Sequence, residues 1–214
     1  MSRFIVIPAV LAGVFAPLAL ADTNTGFDYL AGGLQYSHLN PQGTSNPYFG
    51  QDVANSDQNL YGAYYQGAWN FTGNWFVKTE GDYGAKANDD YFQSYTGLGY
   101  VWHVNDRLRL FASVGVASYN ATHQLDSLPN NTSIQLQGDD TGASAEVGFR
   151  YKVNEIWRVQ PVYRYSDFGT PEQEYRIDNI FQISDHWALE GNLRYRHWGD
   201  LDESSVQIGV RYSF

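Results

Sequence analysis

The feature that most constrains this chain is a side-chain alternation of period two that runs through long segments. In the last one, Val206, Ile208, Val210, Tyr212 and Phe214 share one face, and polar residues and glycine fill the other. Upstream segments repeat the alternation over about 11–14 residues, against ~5–6 residues for an ordinary strand and ~9–11 for a tilted strand that crosses a bilayer. The pattern therefore predicts an all-β fold, an antiparallel transmembrane β-barrel, rather than a soluble sandwich.

The connections between these segments alternate in length. Tight turns such as Thr72-Gly73-Asn74 and Asn105-Asp106 alternate with longer loops, of which the two longest are predicted at 39–57 and 120–139. Short turns on one side, longer loops on the other and an even strand number are typical of bacterial barrels. Ten strands are predicted, with eight as the alternative. The predicted strands are 27–38, 58–71, 75–86, 91–104, 107–119, 140–153, 156–168, 172–183, 187–198 and 203–214.

The N-terminal segment has the composition of a targeting signal. Residues 4–20 are apolar apart from glycine and proline, they follow the basic Arg3, and Ala19-Leu20-Ala21 fits a small-x-small cleavage site. We predict a cleaved secretory signal peptide at 1–21 and a barrel at 22–214, with an uncleaved anchor as the alternative. The chain has no cysteine, which excludes a disulfide framework and a thiolate metal site and suits an oxidising periplasm.

The charges are sorted by strand face. The chain has a net charge of −10, which argues against a nucleic-acid partner. Parity places ten basic and six acidic residues toward the lumen, an excess of about four positive charges. The inward residues are Lys78, Arg109, Arg150, Lys152, Arg158, Arg164, Arg176, Arg194, Arg196 and Arg211, with Glu80, Asp82, Glu146, Glu174, Asp178 and Glu190. The lumen charge cluster within them is Arg158, Arg164, Arg176, Arg194, Arg196, Arg211, Glu174, Asp178 and Glu190.

Two interpretations of this lumen remain open. A barrel of ten strands is narrow, so its charges would pair and fill it, with Arg176 facing Arg194 and Glu174 near Arg196 across one hairpin. Alternatively, the positive excess lines a narrow pore for small solutes, anions or acidic sugars. Other acids gather at the loop side, in an acidic rim that could hold Ca²⁺ or Mg²⁺ weakly. The rim is Asp52, Asp57, Asp89, Asp90, Asp126, Asp139, Asp140, Asp167, Glu172, Asp200, Asp202 and Glu203.

The aromatic residues are distributed as in a membrane protein. Tryptophans concentrate at the tight turns and tyrosines toward the loops, as two interfacial girdles require. The turn-side girdle is predicted as Trp69, Phe71, Trp75, Trp102, Trp157, Trp187 and Phe214; the loop-side girdle is predicted as Tyr36, Tyr61, Tyr83, Tyr119, Tyr165 and Tyr175.

The C-terminal residues carry a family resemblance. Val210, Tyr212 and the terminal Phe214 resemble the assembly signal of outer-membrane barrels, and the whole predicted barrel resembles the small OmpX-like, opacity-like and porin-family proteins. The resemblance implies integral insertion in the bacterial outer membrane as a monomer. The implied partners are membrane lipid, lipopolysaccharide, the barrel-assembly machinery and periplasmic chaperones.

Three functions are compatible with such a barrel. The first is a structural barrel or narrow channel. The second is an adhesion or surface-contact protein that acts through loops 39–57 and 120–139. The third, an outer-membrane enzyme, is disfavoured because His197 is followed by Trp198-Gly199-Asp200, which supplies no nucleophile, and His123 is placed in a loop. We therefore predict no catalytic residue, metal or cofactor.

Overall fold

The chain forms a closed antiparallel barrel. A computed structural model describes residues 26–41, 47–48, 59–87, 89–125 and 134–214, and its first and last strands pair to close the wall. The predicted fold class and the ten strands are confirmed, and the eight-strand alternative is wrong. The strands are β1 (Tyr29–Pro41), β2 (Asn59–Thr72), β3 (Trp75–Lys86), β4 (Asp89–His103), β5 (Leu108–Leu125), β6 (Ile134–Lys152), β7 (Trp157–Phe168), β8 (Thr170–Gln182), β9 (Trp187–Trp198) and β10 (Leu201–Ser213).

Short-range chemistry sets the tight turns. Gly73 adopts a positive φ of 50° between β2 and β3, a conformation that glycine reaches without a Cβ clash. Asn105 and Asn154 each use the side-chain oxygen to accept hydrogen bonds from two backbone N–H groups that follow them, at 2.9–3.0 Å. These turns bring β4 to β5 and β6 to β7 as hairpins.

The outer face of the wall is apolar. Leu34, Val114 and Ile208 expose 75%, 66% and 69% of their surface, which a monomeric protein in water would avoid. Trp75 and Trp187 lie outward near the turns, and the alternation of the strands places most of the charged strand residues on the inner face. Among the described residues there is no helix long and apolar enough to cross a membrane.

Two predicted boundaries are corrected. Residues 120–125 and 134–139, placed in a loop by the sequence, are paired strand residues of β5 and β6, so His123 lies in a strand. The prediction gave weight to the Asn, Gln, Ser, Gly and Pro content of residues 120–139, and it overlooked the period of two in which Ala121, His123 and Leu136 share the inner face. Residues 39–41, predicted as loop, belong to β1.

Other sequence predictions fall partly outside the described part of the chain. Apart from residues 47–48, the rest of the two predicted loops lies outside the described residues, as does the predicted signal peptide at 1–21. Tyr119, predicted in the outer girdle, instead faces inward and packs on buried aromatic residues. Its parity on β5 matches that of the inward residue Ala117, and its position near the strand end misled the assignment.

Candidate functional site

The interior of the barrel is filled in three layers, and the first lies at the turn end. Phe27 comes from the segment before β1 and has no exposed surface; its ring stacks on Phe76 with the ring centres 4.1 Å apart and meets Phe111 edge-on at 5.2 Å. Apolar residues from several strands complete this layer. The turn-end layer consists of Phe27, Tyr29, Ala68, Phe76, Val101, Phe111 and Val162.

The second layer, which we call the middle charge layer, contains ionic side chains bonded to one another. Each of its carboxylates meets at least one ammonium or guanidinium group within 4.0 Å, and every member is almost wholly buried. Unpaired charges at such depth would be strongly unfavourable. The layer consists of Lys78, Arg164, Arg176, Arg194, Arg196 and Arg211 with Glu80, Asp82, Glu146, Glu174, Asp178, Glu190 and Glu203.

Contacts in this layer cross the whole barrel. Lys78 on β3 contacts Glu146 on β6 at 2.6 Å and Glu80 at 2.8 Å. Arg164 on β7 hydrogen-bonds to both of these glutamates, and Arg176 donates to Glu80 at 2.6 Å. Strands that are distant in sequence are therefore tied together through the lumen.

Asp82 on β3 is the second centre of the middle charge layer. Its two oxygens accept two hydrogen bonds from Arg194, at 2.8 and 2.7 Å, and two from Arg196, at 2.6 and 3.2 Å. Glu174 and Glu203 each accept a further bond from Arg196, at 2.9 and 3.3 Å. Two guanidinium forks thus converge on a single carboxylate, the geometry in which such pairs are strongest.

The third layer, at the loop end, is again apolar. Tyr48, from a segment outside the strands, stacks on Tyr91 with the ring centres 5.2 Å apart and meets Trp198 edge-on at 5.1 Å. The hydroxyl groups of Tyr48 and Tyr91 donate to Glu203, at 3.2 and 2.8 Å, and join this layer to the charges below. The loop-end layer consists of Leu39, Tyr48, Leu60, Tyr91, Tyr95, Ala117, Ala121, Phe168, Trp198 and Leu201.

A small cavity lies within the middle charge layer. This cavity, lined by Glu80, Arg176 and Arg194, among others, offers about 10 Å³ to the centre of a water-sized sphere. That is room for roughly one water molecule.

The structure places the nine residues of the predicted lumen cluster inside the barrel. Eight are buried and Arg158 is half-buried near the turns. The predicted hairpin register is confirmed, because Arg176 pairs with Arg194 and Glu174 pairs with Arg196. Val210, Tyr212 and Phe214 lie on the outer face, about half exposed.

The predicted excess of about four positive lumen charges is corrected. Asp89, Glu172 and Glu203, which the sequence analysis placed in the acidic rim, are buried inside the barrel. Nine acidic and seven basic residues are buried among the described residues, so the deep interior has no basic excess. The strand ends misled the prediction, because period two gives the face of a residue but not its depth.

Basic residues instead collect at the turn end. Arg109 pairs directly with Arg150, and Arg158 pairs directly with Lys152, on the adjacent strands β5, β6 and β7. We call these four residues the turn-side vestibule. Lys152 bonds to Glu155 in the next turn at 2.6 Å, and this hydrogen bond lowers the pKa of Glu155. Within the described chain, no carboxylate lies within 4.0 Å of the other three as an ion pair.

Two histidine–aspartate pairs lie at the loop end. His197 and Asp202 are bonded at 2.7 Å on the outer face, where Asp202 also accepts a bond from Tyr195 at 2.7 Å. His123 bonds to Asp89 inside the barrel. The sequence analysis missed this second pair because it assigned His123 to a loop. Among the described residues, no cluster of three or more histidine and acidic side chains has the spacing of a metal site.

The family assignment follows from a comparison with protein-family models. Residues 6–184 match the model of the outer membrane protein beta-barrel domain. The chain belongs to this family. Its place is therefore the bacterial outer membrane, as an integral barrel. The comparison with curated protein sequences gives no match.

Solved structures with a similar barrel include three small proteins. Ail, the attachment invasion locus protein of Yersinia pestis, is 13% identical, with 87% of this chain and 97% of that chain covered and a TM-score of 0.44. OprG from Pseudomonas aeruginosa is 15% identical, with 87% and 95% covered and a TM-score of 0.44. Neisserial surface protein A is 9% identical, with 87% and 96% covered and a TM-score of 0.43.

Proposed function

We propose that this protein is a closed structural barrel of the outer membrane that does not conduct solutes in its resting state. The observation that carries the proposal is the filled lumen. Two apolar layers, centred on Phe111 and on Tyr91, enclose a middle charge layer whose ionic groups pair with one another. An ion that crossed the barrel would have to displace packed rings at both ends and break buried ion pairs between them.

The pairing of charges also argues against an anion-selective pore. Selectivity for anions requires positive groups that face the permeating ion. The arginines instead form ion pairs within the protein. Arg164 pairs with Glu80 and Glu146. Arg194 pairs with Asp82, and Arg196 pairs with both Asp82 and Glu174. The charged interior then serves the barrel itself, by linking β3 to β6, β7, β8 and β9 across the lumen.

Conductance of single barrels in planar bilayers tests this function. The refolded protein, shown to be folded by its heat-modifiable gel mobility, is expected to leave the bilayer silent, with no steps under a salt gradient. Steady anion-selective steps that weaken in Arg164→Ala or Arg194→Ala would instead establish a basic pore and overturn the closed barrel. Arg107→Ala, a change at an exposed turn outside the lumen, is the matched control.

A second candidate function is surface contact through the β5–β6 hairpin. Residues 134–143 pair with β5 and lie beyond the last register pair of β6 with β7, Ser144 with Ser166. The hairpin therefore extends past its neighbour at the loop side, and β6 offers exposed residues there, including Asp139 and Asp140. Removal of residues 122–137 should abolish binding of cells to a contact surface while the barrel still folds; unchanged binding would exclude this function.

We infer that the protein is not an enzyme. His197 hydrogen-bonds to Asp202, which also accepts a bond from Tyr195, and no serine or threonine hydroxyl among the described residues is hydrogen-bonded to this histidine. A general base needs such a group within reach. His197→Ala is expected to leave growth and membrane lipid composition unchanged.

A further inference from the structure

We propose that the turn-side vestibule, Arg109, Arg150, Lys152 and Arg158, is a binding site for an anion that carries carboxylate or phosphate oxygens. The site opens toward the short turns, which is the periplasmic side in bacterial barrels. The site borders the turn-end layer, because the Arg150 guanidinium lies over the ring of Phe27, 4.6 Å from the ring centre.

The arrangement of the strands concentrates positive charge at this mouth. The directly opposed cross-strand pairs are Arg109 with Arg150 and Lys152 with Arg158, so like charges face each other twice. Direct pairs of like charge destabilise a sheet. The unfavourable energy is removed when an anion lies between them, which is the state that this arrangement favours.

The guanidinium groups are turned toward one point. Those of Arg109 and Arg150 both converge on Gly26, and Arg158 is close enough to both for their charges to repel. Arg150 is buried and donates its hydrogen bonds to neutral oxygens: two go to the single Oε1 of Gln160, at 2.6 and 2.8 Å, and one goes to the carbonyl of Gly26. Its charge is therefore held in place beneath the mouth without being neutralised.

Arg109 and Arg158 have N–H groups that form no hydrogen bond with the described residues. Arg158 donates to Gln182 at 3.0 Å, and Arg109 has no side-chain hydrogen bond or ion pair with the described residues. Both are half-buried, so an anion can reach them from the turn side. A planar guanidinium binds carboxylate and phosphate oxygens in pairs, which defines the ligand class.

The neighbouring acid is already engaged. Glu155, in an exposed turn, accepts a hydrogen bond of 2.6 Å from the Lys152 ammonium group. Glu190 bonds to Arg211, deeper in the lumen. The vestibule therefore differs from the middle charge layer, where each arginine meets a carboxylate of this chain.

Binding is tested with the full barrel refolded in neutral, phosphate-free detergent. Calorimetric titration with inorganic phosphate and, separately, with tri-glutamate is expected to give one site, which weakens at higher salt. Binding should fall by about tenfold for each arginine removed in Arg109→Ala and Arg158→Ala. Arg107→Ala, in the adjacent turn, is the control and should bind as the parent protein does.

The two ligands separate the sources of the anion. Phosphate alone would indicate a phosphorylated solute, and stronger binding of tri-glutamate would indicate an acidic periplasmic polymer; either supports the site. Phosphate should also raise the unfolding midpoint of the parent barrel and not that of the Arg109→Ala, Arg158→Ala double variant. The proposal is overturned if neither ligand binds, or if the double variant and Arg107→Ala lose the same affinity.

Discussion

The middle charge layer and the turn-side vestibule use the same residue type for opposite purposes. In the layer, Arg194 and Arg196 share Asp82 and are almost fully buried. In the vestibule, Arg109 and Arg158 are half-buried, and no carboxylate of the described chain pairs with them. Arginine at depth therefore holds the wall together, whereas arginine at the mouth remains available to a ligand. Removal of an arginine or its partner in the middle charge layer should therefore lower the stability of the barrel. Removal of Arg109 or Arg158 from the vestibule should change only anion binding.

The largest effect is expected at the centre of the middle charge layer. Asp82→Asn leaves Arg194 and Arg196 buried without their shared carboxylate, and the loss of one partner from a buried ion pair lowers the free energy of unfolding by about 3–5 kcal/mol. Urea unfolding from lipid vesicles, followed by tryptophan fluorescence, measures the change.

The control for this substitution is a buried carboxylate without an arginine partner. Glu172 accepts two hydrogen bonds from the Gln93 amide, at 2.7 and 2.8 Å, and no ion pair within 4.0 Å is found for it among the described residues. Glu172→Gln keeps an oxygen for that amide, so the stability should change by less than about 1 kcal/mol. Equal losses in both variants would mean that ionic pairing does not distinguish the two positions.

A smaller but still large effect is expected from the turn-end layer. Phe111 packs edge-on against both Phe27 and Phe76, at ring-centre distances of 5.2 and 6.3 Å. Phe111→Ala should lower the stability by about 3 kcal/mol through lost packing and the cavity left behind. The bilayer should nevertheless stay silent, because the other two layers remain. Open channels in this single variant would show that the turn-end layer is the whole barrier.

The sequence predicted the wall of the barrel better than its contents. Period two in strands such as β8 and β9 gives the face of each residue, and a tight hairpin turn fixes the register. The pairing of Glu174 with Arg196 could therefore be predicted from the sequence. Contacts across the lumen, such as Lys78 with Glu146, depend on how the closed barrel brings distant strands together, and no local pattern encodes them.

The sequence analysis also did not predict which residues outside the strands enter the lumen. Phe27, which the sequence analysis assigned to the first strand, precedes β1, and Tyr48 comes from a predicted loop. Both complete the apolar layers, and no local pattern shows that either side chain enters the lumen. Depth was misjudged for the same reason: Glu203 lies near the start of β10, where a rim and an interior position look alike in sequence.

The smallest effect on stability, and the sharpest test of the vestibule, is expected at Glu155. The Lys152 hydrogen bond lowers the pKa of Glu155 below its ordinary value of 4.5, so the pair stabilises the fold above that pH and is lost as the pH falls through the lowered pKa. Glu155 is fully exposed, and solvent screens the pair, so Glu155→Gln should leave the unfolding midpoint at neutral pH unchanged. The same substitution releases Lys152 toward Arg158, its cross-strand neighbour, and should therefore strengthen phosphate binding. Weaker phosphate binding in Glu155→Gln would show that the acid helps to build the site rather than competing with its ligand.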